Sequence, residues 1–414
     1  MYICYFLISV FQLWIAKVKF KKFINPISIY ICVWLIVVTL YESNLVYLNR
    51  LSVFAWITVI LFQFVYFITC YVGSNYVFAK RKVYSFDKDI LLNAIIVLSL
   101  ISAFAILPNF YNFISTYSWS FMDKMNSVYN DRLAGTRGYE LIPYLGTLSY
   151  LAVVFSGIYY RRYGMNKRLL IPMILALLDT LPGGGRFGLV LILFLFVMPR
   201  VLFPMQTESV VKKIGKKKKN RIIAVALIIV IVVLFVQMSS VRSRWITVNQ
   251  YMSPTMVRLV SYNPVFYKTY TYIVEPLVAL SEYLKDMTFN FGGNTFGFFI
   301  SILNKFGFNL EYARYQEALY TPLECNVATY IRELIQDFTY LGAVFVVALI
   351  GFLMGMFYKM VIIKNDFYYE VMSAIMGTVI VMSFFMFFYR ESIFWIMTIL
   401  LPVVIFMMKK MAKK

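Results

Sequence analysis

FTYLGAVFVVALIGFLMGMFY, residues 338–358, decides the fold. The stretch runs for 21 residues without a charge. Coiled at about 1.5 Å per residue it reaches roughly 30 Å, the thickness of a bilayer's hydrocarbon core. Its apolar residues are continuous, not alternating, which marks a membrane helix and not a barrel strand. Similar runs follow at 367–388 and 393–408 and precede it at 2–16, 26–41, 51–72, 90–108, 141–160, 168–181, 187–203 and 222–239. The predicted fold class is therefore an all-α polytopic membrane protein. It has about 11 transmembrane helices (roughly 10–12) and a large outer loop containing short helices. Three regions follow: an N-terminal membrane bundle, 1–239, with an outer loop at 109–140; the large outer loop, 240–337; and C-terminal membrane helices, 338–414. In the first run Lys17, Lys19, Lys21 and Lys22 follow the apolar residues instead of preceding them. That order fits a membrane anchor better than a signal peptide.

The chain is 61% hydrophobic, well above a soluble domain, and carries a net charge of +21. The placement of that charge excludes nucleic acid as the partner and points to the lipid bilayer. Alternating the connections puts 17–25, 73–89, 161–167, 200–221, 359–366 and 409–414 on one side. Counted with the helix ends that flank them (Arg168 and Glu370 included), these hold 26 of the 40 Lys+Arg and 5 of the 19 Asp+Glu. The whole excess thus lies on one face, which the positive-inside rule makes cytoplasmic, with the N-terminus out and the C-terminus in. The run Lys216–Lys219 reads as attraction to anionic lipid.

There is no histidine, and the four cysteines show no metal or disulfide spacing. No nucleotide-binding pattern appears on the short cytoplasmic segments. No metal and no cofactor is expected, and any chemistry belongs to the outer face.

That face is rich in arginine. The cytoplasmic side holds 20 Lys and 6 Arg, the outer side 4 Lys and 10 Arg. Arginine's planar fork grips phosphate or carboxylate where lysine supplies only diffuse charge. Gly184, Gly185 and Arg186 join two predicted helices; glycines let backbone N–H groups approach an anion, and the next helix would point its positive end at the same spot. A tight turn with a snorkelling arginine explains the same residues. Arg390, Glu391 and Ser392 form a second outer turn, with Ser392 as the expected N-cap and a local Arg390–Glu391 interaction as the plain alternative. Arg332 and Gln336 share a helix face by their spacing. Asp337 reads either as a structural cap or as an outward-facing base. Arg137, Arg242 and Arg244 complete the candidate anion-binding set.

Four stretches, in order, carry a resemblance: GGGRFGLVLILFLF at 183–196, YTYIVEPLVALSEYL at 270–284, GGNTFGFFISILNKFGF at 292–308, and TPLECNVATYIRELIQDFTYLGAVFVVALIGFLMGMFY at 321–358. The chain resembles the oligosaccharide repeat-unit polymerases (Wzy type) of bacterial O-antigen and capsule assembly. The resemblance implies an inverting glycosyltransferase of the bacterial cytoplasmic membrane. Such an enzyme moves a growing glycan from undecaprenyl pyrophosphate onto a new undecaprenyl-pyrophosphate-linked oligosaccharide. A chain-length regulator and a flippase would be its partners. By position Arg186, Asn326, Thr329 and Asp337 match the family's pattern. Arginines would neutralise the leaving pyrophosphate, and a carboxylate among Asp337, Glu275 and Glu391 would accept the proton of the attacking hydroxyl. Two alternatives stand beside this reading. The related O-antigen ligases have a similar layout but a proposed catalytic histidine. A flippase or other transporter of lipid-linked oligosaccharide would carry its charges within the helices.

Overall fold

A computed structural model describes residues 1–77, 83–116, 120, 123–124, 127–128, 130–131, 141–183, 187–204, 246–312 and 316–412. The chain is mostly helical. Ten of the eleven apolar runs fall on helices; the other, 222–239, lies outside the described residues. Among the described residues five helices are long and apolar enough to cross a membrane: α1 (Tyr2–Phe20), α3 (Val53–Gly73), α4 (Lys88–Thr116), α11 (Tyr330–Lys364) and α13 (Ser392–Met411). Three more are apolar but shorter: α2 (Pro26–Glu42), residues Gly188–Leu202 of α7 (Phe187–Leu202), and α12 (Phe367–Val381). The protein is thus a multi-pass membrane protein by the length and composition of its helices.

Two compact units divide the chain. The first comprises Met1–Arg81, Ser243–Ile363 and Met376–Phe394; the second comprises Lys82–Arg242, Lys364–Ile375 and Trp395–Lys414.

In the first unit local chemistry sets the helix starts. Asn25 precedes Pro26 and its side chain accepts from the Ser28 N–H, a capped start with proline at the first position. Ser52 caps α3 by accepting from Ala55. The backbones of α3 and α11 come into direct contact. A Cβ on Gly355 would lie 2.1 Å from the Cys70 carbonyl oxygen, and one on Gly73 would lie 2.1 Å from that of Phe352. Only glycine fits such a crossing, the small-residue packing typical of membrane helices. Beside it, Tyr30 stacks on Tyr66 at 4.3 Å and meets the Tyr330 hydroxyl at 2.6 Å, while the Trp34 indole donates to Ser383 Oγ at 2.9 Å. These contacts tie α2 to the start of α11 and to the turn before α13.

The long segment after residue 245 is folded, not a tether. It contains α8 (Pro254–Tyr262), α9 (Val265–Tyr283), α10 (Gly297–Lys305) and a two-stranded hairpin, β1 (Leu319–Tyr320) against β2 (Glu324–Cys325). The apolar patterning of this segment does not foretell the hairpin. The segment bonds to the α2–α3 connection: Tyr47 N–H donates to the Tyr251 carbonyl at 2.7 Å, and Ser52 N–H donates to Ser281 Oγ at 2.9 Å. Alternation places both pieces on one side of the bilayer, and here they meet.

The second unit packs α4, α5 (Leu148–Tyr163), α6 (Leu170–Thr180) and α7 together, with the start of α12. Arg161 and Arg162, which the charge pattern counts as part of the free positive charge on one face, are instead buried on the Glu370 carboxylate. Arg161 also donates to the Pro204 carbonyl at 3.1 Å. Nearby, Tyr84 N–H donates to Asp366 at 3.2 Å, the Tyr163 hydroxyl donates to the Phe86 carbonyl at 2.9 Å, and the Lys409 ammonium lies 5.4 Å from the centre of the Tyr84 ring. Alternation places all four of these stretches on the same side.

Candidate functional site

The described polar cluster with most reach lies in the first unit, on the opening turns of α11. Thr329, fully buried, accepts the Arg332 N–H on its hydroxyl at 3.3 Å, and the Tyr330 N–H donates to the Ser383 carbonyl at 2.9 Å. The helix so started presents Arg332, Glu333, Gln336 and Asp337, all buried. At Thr339 it breaks: φ is 63° and ψ 176°. A β-branched residue in that region is strained. The break comes one residue into the 338–358 run, so α11 is a short buried helix followed by a long apolar one.

Glu333 is held on three sides. It accepts from Arg390 Nη1 at 2.7 Å and from Gln316 Nε2 at 3.2 Å on one oxygen, and from the Phe387 N–H on the other. Gln316 also donates to Asn294 Oδ1 at 2.8 Å, and Asn294 donates to Gln336 Oε1 at 3.3 Å. Asp337 closes the network. Its Oδ1 accepts from the backbone and side chain of Asn294 at 3.0 and 3.1 Å, and its Oδ2 accepts from the backbone and hydroxyl of Thr295 at 2.6 and 2.5 Å. Both oxygens are fully engaged, and the residue faces inward. The outward-facing orientation entertained for Asp337 is thus not the one adopted; the carboxylate secures the 290–295 loop.

Arg332 differs from the other cations here. It is 1% exposed, and Nη2 donates to the Glu317 carbonyl at 3.0 Å. Its guanidinium carbon lies 5.5 Å from the centre of the Tyr283 ring. Nε and Nη1 are buried and have no acceptor among the described residues. Two nitrogens of a cationic fork are thus left for an acceptor, the geometry that suits a carboxylate or phosphate.

Glu275, on α9, is half-buried, and burial pushes its carboxyl up to about 7, with Lys268 and the Thr271 hydroxyl pulling the other way. It lies close enough to raise the Cys325 thiol, which burial already drives up to about 12. Cys325 is therefore a neutral thiol donating to the Val327 carbonyl at 3.4 Å. The Arg332 guanidinium pulls that thiol the other way, so Cys325 lies within electrostatic reach of both charged groups. A carboxyl with a value near 7 can take a proton and return it at neutral pH.

The candidate residues thus separate. Arg332, Arg390, Asp337 and Thr329 come together at the start of α11, and Glu275 lies in the same unit. Asn326 is exposed just ahead of the helix. Arg390 pairs with the remote Glu333. Ser392 is the first residue of α13 and not its cap; Glu391 occupies the cap position, its carbonyl accepting from Phe394 at 3.1 Å. Gly184, Gly185, Arg186, Arg137, Arg242 and Arg244 lie outside the described residues. Glu333, Asn294 and Gln316 join the cluster without having been candidates. The signal for Glu333 was its spacing, four residues before Asp337 on the same helix face.

Compared with known proteins, the chain matches no family model, no curated protein and no solved structure.

Proposed function

We propose that the chain polymerises undecaprenyl-pyrophosphate-linked oligosaccharide repeat units into O-antigen or capsular polysaccharide at the outer leaflet of the bacterial cytoplasmic membrane. The observation that carries this reading is Arg332, a buried arginine with two nitrogens uncommitted among the described residues, in one of the four stretches whose order carries the family resemblance. In the reaction the bond from the donor sugar's anomeric carbon to pyrophosphate breaks as the acceptor hydroxyl oxygen bonds that carbon from the opposite face. The proton of the hydroxyl passes to a carboxylate, and the pyrophosphate leaves with its lipid. Arg332 neutralises charge that grows on the leaving group, where a fixed donor stabilises the transition state more than the ground state. Glu275 accepts the proton, because its carboxyl titrates near neutral pH and Asp337 is fully bonded. Arg390 and Glu333 hold the helix start in register.

The transporter reading has no particular support from the buried charges. Glu370 is in the first turn of α12 and Arg161 and Arg162 are in the last turn of α5, at helix ends and not midway.

Deleting the gene tests the proposal. Single repeat units should reach the surface while long chains disappear; a surface with no glycan attached would indicate a ligase, and units trapped in the cell would indicate transport. Complementing with Arg332→Lys keeps the charge but not the fork, and should lower polymer formation from purified lipid-linked units by about 100-fold. Full polymer from that variant would remove Arg332 from the reaction.

A further inference from the structure

The segment 287–310 exposes more apolar surface than an aqueous cap would. Met287, Phe289, Phe291, Phe296, Phe306 and Phe308 are all exposed, Phe291 at 79% and Phe306 at 77%. Over these 24 residues the only charge is Lys305. Isolated exposed apolar residues are ordinary, but a contiguous aromatic patch marks an interface.

What covers it follows from where it is tied. Asn290 N–H donates to the Gln336 carbonyl at 2.9 Å, and Asp337 binds Asn294 and Thr295 through both oxygens. Phe296 packs edge-on against Phe338, with ring centres 6.1 Å apart. The patch is thereby fixed at the break of α11, where the long apolar part of that helix begins. Just beyond the break, Leu341 is 81% exposed and Phe345 is 70% exposed. Those residues belong to a helix apolar enough to cross a bilayer, so their exposed face is a lipid face. The aromatic patch is tied beside the start of that helix.

We infer that residues 287–310, α10 included, lie in the boundary between lipid headgroups and acyl chains. The occupant is the membrane itself, and the Asp337 carboxylate is the group that positions the segment there. An interfacial helix buries its apolar face about 5–10 Å into the boundary between headgroups and acyl chains. Phenylalanine and leucine are among the residues that interfacial helices bury at that depth. The inference depends on the placement of the patch and not on the proposed polymerase activity.

The test uses the full chain in nanodiscs, with Cys4 and Cys32 replaced by serine; Cys70 and Cys325 are buried. Single cysteines in place of Phe291 and Phe306 carry a bimane fluorophore. Leu341→Cys serves as the lipid reference, and Glu324→Cys, exposed on the hairpin, as the aqueous one. Lipids brominated high on the acyl chain should quench 291 and 306 as strongly as 341, and aqueous iodide should quench only 324. Iodide quenching of both patch positions without bromine quenching would overturn the inference. So would protection from both quenchers with crosslinking between copies through position 306, which would make the patch a contact between chains.

Discussion

Replacing Asp337 by asparagine turns one of its two acceptor oxygens into an NH2 group. Whichever way the amide settles, it confronts a pair of donors: both from Asn294, or both from Thr295. Hydrogen bonds to a buried carboxylate contribute about 1.5–3 kcal/mol each, so two of them amount to about 3–6 kcal/mol. Removing the charge also removes the cost of keeping it from water, which brings the net loss toward about 3 kcal/mol. That energy holds the 290–295 loop to α11, so the loss appears as local opening and not as global unfolding. Three kcal/mol is about two decades in an opening equilibrium. Amide hydrogen exchange of peptides covering 287–305, measured on the protein in nanodiscs, should therefore accelerate by about 100-fold in Asp337→Asn, while peptides from α5 and α7 stay unchanged. The amides of Asn294 and Thr295 report most directly, since the carboxylate is their acceptor. Unchanged exchange there, with polymer formation abolished, would refute this account and return Asp337 to the role of proton acceptor.

Glu275 should make activity and stability respond to pH in opposite senses. Its folded value near 7 lies above the ordinary 4.5, so the folded state holds the proton that the unfolded state has released; stability should fall as pH rises from about 4.5 and level off above about 7, a slope that Glu275→Gln removes in thermal melts. Polymer formation, if Glu275 takes the proton, should rise through the same range in the wild type and be lost in the variant at every pH. In the second unit, Glu370→Gln removes the carboxylate that Arg161 and Arg162 both bind and should destabilise by about 3–5 kcal/mol. Arg162→Met, which leaves Arg161 paired with Glu370, should do markedly less damage in the same melt, and equal loss in the two would show that the pairing is not what matters.

The helices were legible because a membrane helix satisfies its backbone internally, which leaves a bare run of apolar residues as its signature. Which connections lie together was legible for a related reason. Lysine collects on one face, and the stretches that alternation places together do bond together, as Tyr84 with Asp366 and Tyr47 with Tyr251 show. The site was not legible at the same level, because its pairings are remote. Glu333 finds Arg390 57 residues on, and Asp337 finds Asn294 43 residues back. A local reading offers Arg390 its neighbour Glu391, and offers Asp337 only the next helix to cap. Nor does anything around Thr339 announce a break: it is flanked by aromatic and apolar residues that continue a helical pattern.

The break at Thr339 has a physical consequence that joins the cluster to the membrane patch. Interrupting a helix at the edge of hydrocarbon frees backbone groups that lipid cannot satisfy. Here the Gln336 carbonyl is taken by Asn290, and the adjacent Asp337 side chain takes two further N–H groups of that same loop, those of Asn294 and Thr295. The Gln336 carbonyl, freed by the break, is thus satisfied by protein. Against that background Arg332 stands out. Every other charged group on the opening turns of α11 is matched, while this guanidinium keeps two buried nitrogens unpaired beside Tyr283. Leaving a buried donor unpaired costs about 1–3 kcal/mol, and more when it is charged. Both oxygens of Asp337 and of Glu333 are already engaged by other donors, so neither carboxylate is left to receive these nitrogens. The proposed function assigns those two nitrogens to an anion that arrives from outside the fold.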